Sequence, residues 1–370
     1  MRLRTRTISC LVVLLAAAPA ARAADPFPEV RQRAEAAREA IGAPALSIAV
    51  VLEDRLAWSD GLGLADVENE VPARAHTVYR IASISKPIGA TAVMQLVERG
   101  KVSLDDEIQK YVPAFPRKGE HRITLRHILT HTSGIRHYLS DEEVLSTTRY
   151  PSVVDALRIF KDDPLLFSPG QRYSYSSYAY NLLGGVIEAA SGLALEAYLS
   201  ENVFRPAGMT STYLERQGDI VKHRARQYVL EGRTVRNAPL ADLSIKWVGG
   251  GIVSTVEDLA RFHIALDQGK LLCRETLALM YEPGALADGT PLQYGLGWDV
   301  RRDDQGRRFI AHSGGATGGS SFLLRHPESG TAVALLCSVG NAGAALARLA
   351  REIATEVLLV RAPAGAPATR

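Results

Sequence analysis

Apolar residues recur at helical spacing in FPEVRQRAEAAREAIGAP (residues 27–44) and stop at Gly-Ala-Pro, which predicts a helix closed by a turn. ALSIAVVLED and RLAWSDGLGLADV then read as two strands joined by a tight polar turn at Glu53-Asp54. From about Leu104 to Lys246 the pattern changes to helical stretches broken by Pro and Gly, among them TLRHILTHTSG, SVVDALRIFKDD and YNLLGGVIEAASGLALEAYLSENVF. Strand and helix alternate again from GGGIVST. VEDLARFHIALDQG predicts a helix with Glu257 and Asp258 at its positive end and Gly269 at its close. YGLGWDVRRD, RRFIAHSGG, SSFLLRHPE and TAVALLCSVG read as strands of an antiparallel meander, and AGAALARLAREIATEVLLV as a closing amphipathic helix. This is an α/β lobe (about 24–103 and 247–360) into which a mainly helical lobe (about 104–246) is inserted.

The two ends read differently. Arg2, Arg4 and Arg6, the apolar run Ile8 to Ala18 and Ala21-Arg22-Ala23 predict a cleaved export signal over residues 1–23, with an uncleaved anchor as the alternative. The run is shorter than the roughly 20 residues a membrane span needs. Removing that segment takes away four arginines and no acid, so the formal net charge falls from +3 to −1. The basicity belongs to the signal, which leaves no case for a nucleic-acid or anionic-membrane partner. The expectation is an exported protein, periplasmic or secreted, without stable membrane insertion. RAPAGAPATR (361–370) reads as a disordered tail. Cys337 lies in an apolar run and reads as a buried small hydrophobe; its pairing with Cys273 is left open, as is the oligomeric state.

The candidate chemistry starts at RIASISKPIGATAVMQLVERG (80–100). Residues three apart share a helix face, so Ser83 and Lys86 can touch while Ser85 points away. A helix start discourages an ammonium, and desolvation would lower the lysine further, giving a usable base. Pro87 fits only a first turn and disfavours helical geometry at Lys86, so that turn should be irregular. Alone, Ser-x-x-Lys reads equally as an ordinary polar cap. FSPGQRYSYSSYAYNLLGG adds Tyr173, Tyr175, Tyr178 and Tyr180 before a helix, and FIAHSGGATGGSSFLL places His312-Ser313-Gly314 at a strand end.

With those segments in view the chain resembles the penicillin-recognising serine hydrolases: class C β-lactamases, D-alanyl-D-alanine carboxypeptidases, and related esterases and D-aminopeptidases. IASISKP, LRHILTHTSGI, FSPGQRYSYSS, RPAGMTST, GGGIVSTVEDLARF, YGLGW and HSGGATGGSSF carry the likeness in order over nearly the whole mature chain. The resemblance implies an α+β, β-lactamase/transpeptidase-like fold: an antiparallel sheet flanked by helices, an inserted helical lobe, and the site between the lobes. It implies Ser83 as acylated nucleophile, Lys86 as base, and Tyr175 as the proton-shuttling tyrosine, preferred to Tyr178 by its spacing from Pro169-Gly170 and Ser177. It further implies an oxyanion hole of the Ser83 and Gly315 backbone N–H groups, and substrate binding by Ser177, His312, Ser313 and Gly314. Ser177 stands where the family has Asn, and His312 where it has Lys, which argues against an efficient β-lactamase. A small-molecule or peptide substrate is expected, with no cofactor. A catalytically quiet penicillin- or peptidoglycan-binding sensor is the rival reading.

Blander readings accompany these. His127 and His131, four apart, could hold zinc, but no suitably placed acid accompanies them, so no metal is expected. Tyr173, Tyr178 and Tyr180 read as packing or cleft-lining residues and Trp298 as core. The Gly-rich segments lack the Gly-Lys-Ser/Thr of a phosphate loop.

Overall fold

A computed structural model describes residues 27–359. The expected export signal and carboxy-terminal tail lie outside the described residues.

The fold is α+β. Its main sheet has seven strands in the order β3-β2-β1-β12-β11-β10-β9: β1 Ala45–Leu52, β2 Arg55–Asp66, β3 Val71–Pro72, β9 Asp299–Arg302, β10 Arg308–Ala316, β11 Gly319–His326 and β12 Thr331–Cys337. All its pairings are antiparallel. Glu53 and Asp54 both take positive φ (50° and 55°), the backbone that a tight hairpin between β1 and β2 demands. The two chain ends meet where β1 pairs with β12 (Leu46 opposite Cys337, Val50 opposite Val333).

Both faces of this sheet are covered, and strand alternation divides them. Leu46, Ile48 and Val50 of β1, with Val333 and Leu335 of β12, pack on the helices Pro28–Ile41 and Gly343–Leu359. Ala49 and Val51, with Ala334 and Leu336, face the larger core that includes the helices Ser85–Glu98, Ser177–Ser191 and Val256–Asp267. The helix Ser85–Glu98 is apolar nearly all round, because every residue from Ser85 to Leu96 is buried.

The segment expected to be mainly helical is more mixed. SVVDALRIFKDD forms only a short helix, Val153–Ala156, and a 3-10 turn, Leu157–Ile159. YVLEGRTVRN is a hairpin of β6 (Tyr228–Glu231) and β7 (Thr234–Asn237), turned at Gly232. Its alternating Tyr, Val and Thr residues suit a strand better than a helix. Further, β5 (Tyr213–Leu214) joins β4 (Tyr79–Arg80) and β8 (Ile252–Ser254) in a second sheet of order β4-β8-β5. That sheet matters for the site: β4 runs into Ser83, and β8 leaves the glycines 249–251. Cys273 is exposed and Cys337 buried, and both are free.

Candidate active site

Ser83 sits in a 3-10 turn, Ala82–Ile84, that feeds the helix starting at Ser85. Ala82 takes a left-handed φ of 48°, strained for a residue with a side chain. Pro87 is the third helical residue, where its missing N–H would have had no helical partner. The irregular first turn that Pro87 implies is thus present. It separates the two serines: Ser85 Oγ is fully buried and accepts from Ile252 N at 3.1 Å, tying the helix to β8. Ser83 is half-buried, with its Oγ 3.1 Å from Lys86 Nζ.

Lys86 is fully buried, and its Nζ also donates to Ser177 Oγ (2.9 Å) and the Gly249 carbonyl (2.6 Å). The backbone there admits only glycine: a Cβ on Gly249 would lie 2.5 Å from the Ser177 carbonyl oxygen. Ser177 opens the helix Ser177–Ser191, which Ser176 caps by accepting from Ala179 N at 3.0 Å. Tyr175 comes just before that cap. Its ring lies 4.6 Å from Lys86 Nζ, and its phenol is close enough to Ser83 to feel that side chain.

Strand β10 forms the opposite wall. A Cβ on Gly314 would lie 2.4 Å from the Ile81 carbonyl oxygen, so the strand presses directly on the turn that carries Ser83. Ser313 and Gly315 are exposed along the same strand, and nothing lies within 4 Å of where a Gly315 Cβ would sit. His312 departs from the expected role of holding substrate. It is only 2% exposed, its Nδ1 meets the Ser313 carbonyl at 2.7 Å and its Nε2 the Tyr294 hydroxyl at 2.9 Å. A carbonyl only accepts, so Nδ1 carries the proton and Nε2 accepts from Tyr294, leaving no free ring N–H for a carboxylate. Ser177 likewise turns to Lys86 instead of the open cleft. In both cases the side chain is drawn beneath the site by a buried partner.

Burial sets the charge states. It holds the Lys86 ammonium well below the usual 10.5, and the like charge of Lys246 adds to the effect. Burial raises the Tyr175 phenol despite the nearby Ser83 side chain, which lowers it. It lowers His312 to about 3, helped by Lys86, and His137 to about 4, helped by Lys86 and Lys246. At rest the serine is thus surrounded by a lysine whose ammonium is disfavoured, a phenol and neutral imidazoles.

Several residues here were not singled out from the sequence. His131, weighed only as a zinc ligand, is fully buried among tyrosines, its ring centroid 4.2 Å from that of Tyr175. Its Nδ1 accepts from Ser176 N at 3.1 Å. His127 lies apart, boxing the cap of Leu125–Leu129 with Thr124. Among the described residues no group of three or more His, Cys, Asp or Glu could hold a metal ion. His137 Nδ1 accepts from Ser177 N at 3.1 Å, and Tyr180 donates to the Leu129 carbonyl at 2.7 Å. Tyr178 donates to Glu143 at 2.9 Å, while Tyr173 remains 42% exposed at the cleft edge. Gly249 stands in GGGIVSTVEDLARF, a segment of the family likeness set against a phosphate loop but given no role, and Lys246 has no local signal at all.

Comparison with known proteins bears on the family and the fold. A family described as Beta-lactamase matches residues 30–356. The chain is 30% identical to the serine beta-lactamase-like protein LACTB, mitochondrial, of Homo sapiens, over 83% of this chain and 75% of that protein. Its fold is similar to the octameric penicillin-binding protein homologue from Pyrococcus abyssi, with TM-score 0.78, 26% identity, and coverage of 92% of this chain and 78% of that one. It is also similar to a D-stereospecific amidohydrolase from Streptomyces sp., with TM-score 0.74, 25% identity, and coverage of 89% and 98%.

Proposed function

The chain belongs to the β-lactamase family of serine hydrolases, and on that premise we propose that it cleaves amide or ester bonds through an acyl-enzyme on Ser83, acting on D-amino-acid peptides or small esters. One observation carries the reading: a single half-buried hydroxyl lies 3.1 Å from the Nζ of a fully buried lysine that packs against the Tyr175 ring at 4.6 Å. With Lys86 neutral, the Ser83 hydroxyl donates to the amine lone pair, while Nζ donates to Ser177 Oγ and the Gly249 carbonyl.

Ser83 Oγ adds to the substrate carbonyl as its proton passes to Lys86. The backbone N–H groups of Ser83 and Gly315 receive the developing oxyanion. As the tetrahedral intermediate collapses, the Tyr175 phenol protonates the departing amine or alkoxide and regains a proton from the Lys86 ammonium. Water then adds to the ester, giving its proton back along the same path, and Ser83 leaves as the hydroxyl. Tyr175, raised by burial, suits the acid, and Lys86, lowered by burial, the base. Export is part of the proposal and rests on the amino-terminal pattern of residues 1–23.

The test is intact mass after exposure to a serine-reactive phosphonate or a penicillin. The expected result is one adduct, absent in Ser83→Ala. No adduct on the wild type would overturn the acyl-enzyme, and labelling that survives Ser83→Ala would move the nucleophile elsewhere. Turnover of D-Ala-D-Ala peptides, p-nitrophenyl esters and nitrocefin then ranks substrates.

A further inference from the structure

A second lysine lies beside the first. Lys246 is 3% exposed, and among the described residues its ammonium has no hydrogen-bond or ion-pair partner. Its stem lies across Gly250 from the residue before the nucleophile: a Cβ on Gly250 would be 3.2 Å from Lys246 Cδ and 3.7 Å from the Ala82 carbonyl carbon. Its Nζ stands 5.6 Å from the centroid of the Tyr138 ring. The Tyr138 ring packs on His137, centroids 4.1 Å apart, and His137 Nδ1 accepts from the N–H of Ser177, the residue that touches Lys86. Lys246 therefore belongs to the wall of the site.

The surrounding charges leave it unanswered. Glu215 is the acid that acts on Lys246, but Arg80 Nε holds that carboxylate at 2.7 Å and Arg224 lies at 3.9 Å. The other groups felt nearby are Lys86 and His137, and neither carries a negative charge. An ammonium answered only by an aromatic face and by a carboxylate that arginines already hold is poorly compensated and can take an anion from outside. The usual candidate for holding a substrate carboxylate, His312, has both ring nitrogens engaged.

We propose that Lys246 is the specificity-determining cation that receives a free carboxylate of the substrate, so that the site takes peptides ending in a carboxylate in preference to their amides. Resting on the acyl-enzyme reading for its chemistry, the inference also predicts binding that needs no turnover. An ammonium at this place disfavours a substrate that presents its own α-ammonium there. Burial lowers Lys246 only to about 8, so it remains mostly charged at neutral pH, and a carboxylate partner would raise it again.

The experiment measures binding by calorimetry of N-acetyl-D-alanyl-D-alanine and its carboxy-terminal amide to full-length Ser83→Ala and to Ser83→Ala/Lys246→Met. The expected result is a free acid bound about 30-fold or more tighter than the amide, as for a buried charge pair, falling to within about threefold once Lys246 is Met. No preference for the acid, or a preference that survives Lys246→Met, overturns the proposal. A parallel arm follows Lys246→Met alone on both peptides and a p-nitrophenyl ester. A selective rise in KM for the free acid supports it, and an equal loss of kcat on all three assigns Lys246 to tuning Lys86. Absence of a Ser83 adduct would refute the acyl-enzyme while leaving the binding preference standing.

Discussion

Replacing Lys246 by methionine should make the protein more stable at neutral pH. Methionine keeps an unbranched stem of similar length against Gly250 and Tyr138 while removing a buried charge that has no hydrogen-bond or ion-pair partner among the described residues. The lysine titrates near 10.5 when unfolded and at about 8 in the fold, with burial the leading cause and Arg80 next. The unfolded chain therefore binds the extra proton between those values, and stability rises with pH across that window. Below about pH 8 the penalty is fully present, and at 1.36 kcal/mol per unit it amounts to about 3 kcal/mol. By pH 9.5 it shrinks to about 1 kcal/mol. Denaturant unfolding of both proteins at pH 7.0 and 9.5 checks this: the buried tyrosines titrate in both and cancel in the difference, while Lys86, relieved of a like charge, moves in the same direction as the stabilisation. Lys246→Met should be the more stable by about 3 kcal/mol at the lower pH, with most of that advantage gone at the higher. A variant no more stable at pH 7.0, or an advantage equal at both, would refute the reasoning. A stabilised variant that has lost its preference for carboxylates is the exchange of stability for function expected at a binding site.

Gly249→Ala should cost about 1–3 kcal/mol in unfolding and about 100-fold in kcat/KM on a p-nitrophenyl ester, because its Cβ meets the Ser177 carbonyl at 2.5 Å and displaces the acceptor of Lys86. Ser85→Ala should lose about 1–3 kcal/mol, as it strands the buried Ile252 N–H, yet still label at Ser83; loss of labelling would show that the wrong serine was chosen. Stopped-flow acylation should level off well below pH 10.5, since burial holds the Lys86 ammonium below its ordinary value; a rate that keeps climbing toward 10.5 would mean an ordinary lysine.

What could be read from the sequence was what short-range geometry controls. The hairpin at Glu53-Asp54, the strands β10 to β12 and the facing of Ser83 and Lys86 each follow from periods of two or of three to four residues. The short hairpin β6–β7 escaped because four-residue strands beside Gly232 carry too few alternations to stand out from a loop. His312 was found but misdirected: its neighbours Phe309, Ile310 and Ala311 are all buried, so alternation gave no sign that its ring would turn inward to Tyr294.

The chemistry itself depends on contacts that no local window contains. Lys86 is a base only if it is dry, and what dries it is the helix at Ser177, the carbonyl of Gly249 and the ring of Tyr175, each more than eighty residues away in the chain. The same lysine, three residues from a serine at the start of an exposed helix, would be a charged and inert cap. Ser-x-x-Lys therefore names the atoms that react, while the distant glycine turn determines whether they do. Lys246 sharpens the point, for it begins that same turn, so one segment shapes the surroundings of both lysines. The backbone of 246–251 reaches the base and the proposed carboxylate site alike, and a change there should alter base and substrate recognition together.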